Sequence, residues 1–600
     1  MLEALVELGK DLETQGKLPP PGFYYYKEPI RWRVRLLPGR FLLTPIERHA
    51  PRPFSGRTSG IQAHLLADEA GYALGAELNA KGGTDKRAGE KFEAFLTLLE
   101  KFLAWLKPDS HDLKREVERL LEGLRANWVQ KLPEFNQVTS KDWVEFVPET
   151  GPLKGKPLFE HPEALRFWIE ELSERAAPKG GDVTGQCAIC GRERVRLVAR
   201  IPLGVKLVGN TPLISFNQPS FPSFHAGGSP EKEVHIGLCF ECADTASRAF
   251  NFLSQSNEHK KTLISDPNKR DALTNQIALF WTKAPAAVEI GDQSFEAADL
   301  NAFLAEIIAQ DRGKEPPKAR PTLPQMQAFL SLPWKPADAR LSLDDYGFYL
   351  AILSPNVGRI ALREWLAVSL ASIKENLEKF LAASRIVPPW GGPPEPRPIT
   401  DMLRALGTGN PNHLRGLLRT AYLGHAPPAP LKQAATVRLR NARVLADTWQ
   451  LWSLASLLKL VLFYQGSEVG KMEKLDPGRR TPAYLSGRLL AVLEEAQKRA
   501  QSFQINRTLV ERFYGAASTA PAATFGILLR TASVAHLPKA GSLNPLIEEI
   551  LSALDDAGGF PKTLTLEEQA EFALGFYHQR ADFREKTKEK QAEGAEVKHE

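Results

Sequence analysis

The chain has 600 residues, 43% apolar and 25% charged, and Lys plus Arg exceeds Asp plus Glu by 77 − 71 = 6. That length exceeds what a single core organises, so about two to four domains are expected. The near balance of charge excludes a globally polybasic nucleic-acid binder and leaves only local basic surfaces. Four cysteines in so long a chain exclude a disulfide framework.

The opening "MLEALVELGKDLETQGK" mixes acids and bases through an amphipathic pattern, unlike a secretory signal. "IRWRVRLL", Ile30 to Leu37, alternates arginine with apolar residues and ends at Pro38-Gly39, which predicts a strand and a turn. In "PFSGRTSGIQAHLLADEAGYALG", Arg57, Thr58 and Ser59 sit on a glycine-flanked turn before an apolar-periodic segment with Leu65, Leu66 and Leu74. Backbone N–H groups and hydroxyls on such a turn suit a phosphate or a DNA groove. The plainer alternative is that Thr58 or Ser59 caps a helix while Arg57 pairs with Asp68 or Glu69. "EKFEAFLTLLEKFLAWL", Glu90 to Leu106, has helical spacing, and Pro162 in "EHPEAL" is placed to start a helix. Further strand patterns are "RVRLVARIPL" from Arg194, "IALFWTKA" from Ile277, and a hairpin of "GFYLAILS" and "GRIALREWL" through Pro355-Asn356-Val357.

Beyond Trp365 the pattern is almost entirely helical, punctuated by the stiff Pro-rich pieces "VPPWGGPPEPRP" and "GHAPPAP". "LWSLASLLKLVLFY" is interrupted by Lys459 and too short to span a bilayer, so it reads as a buried helix. The closing "REKTKEKQAEGAEVKHE" lacks an apolar face and is expected to be a disordered charged tail. The predicted fold class is therefore α+β. A mixed N-terminal α/β domain (1–366) contains a zinc-knuckle module at about 183–250 and precedes an all-α part. That part divides into a helical region (367–471), a C-terminal helical bundle (472–586) and the tail (587–600). A cytoplasmic location without membrane association is expected.

All four cysteines fall into two knuckles, "CAIC" (Cys187, Cys190) and "CFEC" (Cys239, Cys242). Two C-x-x-C pairs supply four thiolates to one tetrahedral zinc, although the long gap between them requires an excursion with its own structure. Two unrelated thiol pairs are the alternative. A four-thiolate zinc has no open position and is structural, not catalytic. "HPE", from His161, stands before "CAIC" much as H-x-E precedes P-C-x-x-C in zinc deaminases. Gln186 replaces the proline, and the second knuckle makes a histidine ligand unnecessary. No Walker loop, G-x-S-x-G or H-E-x-x-H is present.

Two further stretches carry amides and cations suited to nucleic acid. Asn217 and Gln218 in "SFNQPSF" are placed to read base edges or the minor groove, or Asn217 simply holds its own loop. Arg415 and Arg419 lie one helical turn apart, and "RLRNAR" gathers Arg438, Arg440 and Arg443. Such a stripe suits a displaced strand or a heteroduplex backbone, against the default of a solvated or salt-bridged face. Tyr422 and Trp449 are placed to stack bases or, more commonly for aromatics at helical spacing, to fill a core.

Four stretches, in order, resemble the large subunit of the type I-C CRISPR effector complex, a Cascade-type surveillance machine. They are "GRTSGIQAHLLADEAGYALG", "CAICG" with "LISFNQPSFPSF", "FYLAILSPNVGRIALREW", and "TPAYLSGRLLAVLEEAQKRA" continuing through "RTLVERFYGAASTAPAATFGILLR" to "LEEQAEFALGFYHQ". The resemblance covers most of the chain. It implies a non-catalytic subunit that sits by the guide RNA's 5′ handle and reads the protospacer-adjacent motif in target double-stranded DNA. It also implies support for R-loop formation and a landing site for a recruited helicase-nuclease. The implied partners are guide RNA, target DNA and the backbone, handle-binding and small subunits; guide pairing leaves the protein to read only the motif and backbone shape. The second knuckle is not part of the resemblance, so structural Zn²⁺ rests on spacing alone. The alternative is a zinc-containing nucleic-acid-processing enzyme, a nuclease or deaminase; a zinc-stabilised scaffold binding only proteins is a third.

Met472 stands in "GSEVGKMEKLDPGRRTPAYLSGRLL", just before the unit that resembles the small subunit. Type I-C systems make that subunit from an internal start, so Met472, or a Val469 codon, is a candidate internal start. The unit's helices would bury Leu485, Leu489, Leu493 and the "ALGF" face, and would line the displaced strand with Arg479, Arg480 and Arg488. The alternative is that Met472 is an ordinary linker residue.

Overall fold

The computed structural model describes residues 1–54, 60–79, 83–178, 182–199, 201, 204–207, 210–211, 213–214, 237–265, 268, 275–283, 287–308, 322–356, 359–407, 409–503, 505 and 507–596. The chain forms two compact units, Met1–Ser256 with Pro355–Ala361, and Asn257–Ser354 with Leu362–Glu600.

The first unit is organised by a four-stranded sheet in the order Arg40–Arg48, Ile30–Leu37, Trp143–Pro148, Ala67–Glu69. Strand Ile30–Leu37 runs antiparallel to Arg40–Arg48 and parallel to Trp143–Pro148, with Val34 opposite both Leu43 and Phe146. Its alternation sends Ile30, Trp32, Val34 and Leu36 into the core. The intervening arginines meet carboxylates on the neighbouring strand and loops: Arg33 with Glu145 at 2.5 Å and Arg35 with Glu149 at 2.6 Å. Glu145 is fully buried and also takes Arg48 at 2.5 Å. Its two arginines compensate a carboxylate that would be costly to bury alone. Helix Ala88–Trp105 packs on this sheet, Phe95 against Phe146 at 5.9 Å between ring centres.

Pro162 opens helix Pro162–Arg175 as expected, with the His161 ring accepting from Glu163 N–H at 3.3 Å. Two expectations change here. Residues 60–66 are not helical: Leu66 adopts φ 56°, and the segment leads into the strand Ala67–Glu69 and the short helix Ala70–Ala73. Among the described residues of "RVRLVARIPL", Val195–Arg196 is the strand, paired with Thr184–Gly185.

In the second unit a sheet in the order Lys260–Ile264, Gln276–Lys283, Gly347–Asn356, Arg359–Ser369 carries the expected hairpin. This sheet shares one continuous core with the helices: Phe348 stacks on Tyr422 at 5.3 Å, and Tyr422 donates to Leu304 O at 3.0 Å. By contacts these strands, apart from Pro355–Ala361, group with the downstream helices on which they bury their faces. Helix Thr448–Tyr464 is buried on nearly every side. Its Lys459 donates to Ala382 O and Ala383 O, both at 3.0 Å, closing the end of helix Leu370–Ser384.

The C-terminal helices Pro482–Ala500 and Leu566–Glu596 cross at unusually close range. A Cβ on Gly487 would lie 2.0 Å from Phe572 O, and one on Gly575 would lie 2.2 Å from Tyr484 O. Leu485, Leu489, Leu493 and Phe576 are buried in this crossing, as the helical spacing requires. The last helix continues to Glu596, into the segment read from sequence as a tail. Among the described residues no helix is long and apolar enough to cross a membrane.

Candidate metal centre and basic surfaces

The two knuckles converge. The sulfur atoms of Cys187, Cys190, Cys239 and Cys242 all lie within 4.8 Å of one another. Cys190 Sγ and Cys239 Sγ are 3.9 Å apart, close to the ~3.8 Å edge of a tetrahedron with metal–sulfur bonds of about 2.3 Å. The first knuckle is a tight turn in which Gly191 takes φ 70° and donates to Cys187 O at 3.0 Å. Cys187 N–H in turn donates to Arg192 O at 3.0 Å. The second knuckle opens helix Phe240–Gln255, with Cys239 at its N-cap and Cys242 in its first turn. That helix is anchored from behind: buried Arg248 pairs with Asp244 at 2.6 Å, with Glu13, and with Pro19 O at 3.0 Å. A bridge from Leu197 to Cys239 ties the halves together.

The thiols perturb one another. A hydrogen bond from Cys242, followed by burial that acts the other way, leaves the Cys239 thiol lowered to about 5. The Cys242 thiol is pushed far up by that same hydrogen bond and by burial. For Cys190, burial raises and the Arg192 hydrogen bonds lower, with a net fall. The thiols of Cys190, Cys239 and Cys242 are thus displaced in opposite directions by one another and by burial, as expected of crowded sulfurs that a cation could neutralise. Among the described residues no histidine joins the cluster. His161, the deaminase-like candidate, is instead spent at its helix N-cap. The donor set fits zinc: four sulfurs, tetrahedral spacing and no open position.

Sequence reasoning missed Arg192. Its Nε lies 3.4 Å from Cys190 Sγ and its Nη2 3.5 Å from Cys239 Sγ, while the same guanidinium pairs with Glu241. A cation two residues past a knuckle, in "CAICGRER", was the available signal.

Of the nucleic-acid candidates, Arg57, Thr58, Ser59, Asn217 and Gln218 lie outside the described residues. Arg419 pairs with Glu364 at 2.9 Å, and Arg415 reaches Asn412 and, at 3.5 Å, Arg363 O. Arg438 caps a helix through Ala405 O at 3.1 Å, and Arg440 donates to Gln569 at 3.0 Å. Arg443 is exposed and has no carboxylate partner among the described residues. Arg480 is exposed and pairs with Asp556 at 3.2 Å. Arg479 is partly enclosed, its Nε buried. Arg488 does not line a surface: it is 1% exposed and bonds Gln579 at 3.1 Å inside the bundle. Tyr422 is likewise core, whereas Trp449 is half exposed. Met472 packs against the apolar core beside Glu473, whose carbonyl accepts from Val387 N–H at 2.7 Å.

These features define a two-unit α+β protein, one unit clasped at a thiol-only centre and the other held by a continuous helical core. The family model for CRISPR-associated protein (Cas_Csd1) matches residues 5–584. The chain belongs to that family and is a Cascade-type CRISPR-associated protein. No curated protein matches it.

Proposed function

We propose that the chain is the non-catalytic large subunit of a type I-C CRISPR RNA-guided surveillance complex in the cytoplasm. In this reading it contacts the guide 5′ handle region, recognises the protospacer-adjacent motif in duplex DNA, and supports R-loop formation and helicase-nuclease recruitment in antiviral defence. The family match across residues 5–584 is the observation that carries it. The four cysteines hold a structural Zn²⁺ that fixes helix Phe240–Gln255 against the first knuckle. Arg57, Thr58, Ser59, Asn217 and Gln218 remain the candidates for motif contact.

An internal start near Met472 yields the small subunit in the same reading. The closely crossed helices Pro482–Ala500 and Leu566–Glu596 make such a product a plausible folding unit. Its last helix, however, packs on Thr448–Tyr464 and Pro430–Leu439 in the full chain. A separate product would leave that apolar face uncovered and require a partner in the complex to cover it.

The test is to tag the chain after Glu600 in the unrecoded gene, co-express it with its genomic neighbours, and weigh everything retained. Full-length chain, a shorter product beginning near Met472, neighbouring subunits and guide RNA of uniform length are expected. A lone chain without RNA, or one that cleaves or deaminates nucleic acid unaided, would favour the zinc-containing enzyme.

A further inference from the structure

At the surface of the second unit three indoles gather between the Pro-rich connector and helix Thr448–Tyr464. Their ring centres lie 5.4 Å (Trp390–Trp449), 5.5 Å (Trp449–Trp452) and 5.1 Å (Trp390–Trp452) apart. Trp452 is the buried base of the group; Trp390 and Trp449 keep 40% and 51% of their surface exposed. Large aromatic rings left open to water are uncommon unless something covers them.

Their placement is fixed from below. The Arg397 guanidinium sits 4.1 Å over Trp452 and 5.0 Å over Trp449, and pairs with Asp401 at 2.5 Å. Asp447 accepts from the Trp449 and Gln450 N–H groups, both at 3.0 Å. The connector is held by Tyr577, which donates to Val387 O at 2.6 Å, and by Gly392 N–H on the Glu585 carboxylate at 3.2 Å.

Cations rim the indoles. Arg404 is largely exposed and shares Asp401 with Arg397 at 3.3 Å. Arg438 reaches Gln450, next to Trp449, at 3.2 Å. Arg443 lies within one turn of the helix that presents Trp449, its carbonyl accepting from Asp447 N–H at 3.1 Å. Asp401, Asp447 and Glu585 oppose the four arginines Arg397, Arg404, Arg438 and Arg443, three carboxylates against four guanidiniums. The rim is net positive.

We infer that this surface is a stacking platform for single-stranded nucleic acid, with bases on Trp390 and Trp449 and phosphates at Arg443 and Arg404. The inference rests on the functional reading above and names a surface for an unpaired strand. Flat indole faces accept any base, and an exposed guanidinium beside them takes the phosphate that follows. The surplus of arginine over carboxylate favours this polyanion over a neutral protein partner.

Binding of the full chain to labelled oligothymidine, followed by fluorescence anisotropy, tests it. Trp449→Ala should weaken strand binding about tenfold and Trp390→Ala by a comparable factor, with fully paired duplex bound as before. Trp449→Phe should restore most of the affinity, and Arg443→Gln should lower the slope of log K against log salt by about one. Melting temperatures of the alanine variants should fall modestly, because each ring also packs on Trp452, while Trp449→Phe should melt closer to the parent. Unchanged strand affinity in both tryptophan variants would overturn the platform. So would intact strand affinity coupled to loss of a protein subunit from the assembled complex, which would make this a protein-docking face. A parent chain that binds neither guide RNA nor duplex would overturn the functional reading, and the platform with it.

Discussion

The two units solve the same problem, holding polar groups away from water, by opposite means. Beside the first knuckle, one small cluster among the described residues has Val183 and Leu197 buried with Val195 against them. At about 1.5–3 kcal/mol per fully buried aliphatic side chain, that cluster is worth only several kcal/mol. In the proposed reading a structural zinc would supply an apparent ~10–16 kcal/mol at neutral pH, more than this cluster, and would decide whether the knuckles close. The second unit instead buries its cations inside one continuous core, with Lys459 on backbone carbonyls and Arg488 on Gln579. A sequence can therefore specify structure through four spaced ligands or through many apolar positions, and the two signals break differently.

The largest expected effect is on the first unit. Cys187→Ser should release the metal and destabilise the knuckles and the helix Phe240–Gln255, while the second unit keeps its melting transition; metal content and circular dichroism check it. A mutant that retains its metal and melts like the parent would break the comparison.

Packing in the second unit is probed by Gly487→Ala. The added methyl collides with backbone, which cannot rotate away, so a loss of about 3 kcal/mol is expected in denaturant titration, with metal content unchanged.

A pH experiment sharpens the contrast further. His578 is fully buried, accepts or donates at Tyr484 Oη over 3.0 Å, and is lowered to about 3 by burial and then by Lys459. Its folded value lies below the unfolded one of about 6.5, so between these limits the unfolded chain binds the extra proton. Stability of the second unit should therefore fall by about 1.4 kcal/mol per pH unit from this group as pH drops through that window. Equilibrium unfolding of His578→Gln should show a slope flatter by one proton.

The smallest effect separates two arginines that look alike in sequence. Arg480→Gln removes an exposed ion pair and should change stability by under about 1 kcal/mol. Arg488→Ala empties a buried, hydrogen-bonded site and should cost about 3 kcal/mol. Thermal melts of the pair suffice.

Local signals were legible where the partner is near in sequence or forced by periodicity. Alternation in "IRWRVRLL" marks the central strand, the Leu485–Leu489–Leu493 spacing marks the crossing helix, and the paired C-x-x-C motifs mark the thiol centre. What escaped depends on distant chain. The 260–369 strands join the C-terminal helices because Phe348 and Tyr346 are buried in the same core as Tyr422. Leu65 and Leu66 have helical-looking neighbours but lead into a strand that pairs with Trp143–Pro148. Arg488 reads as part of a basic face until helix Leu566–Glu596 covers it. The indole cluster likewise joins Trp390 to Trp449 and Trp452 across a long loop.

Hydrogen exchange of the full chain before and after metal chelation tests the central contrast most directly. The account predicts that chelation strips protection from residues 182–199 and 237–250 and leaves 482–581 protected as before. Equal protection in both regions with and without chelator would contradict it, because packing alone would then hold the thiol centre.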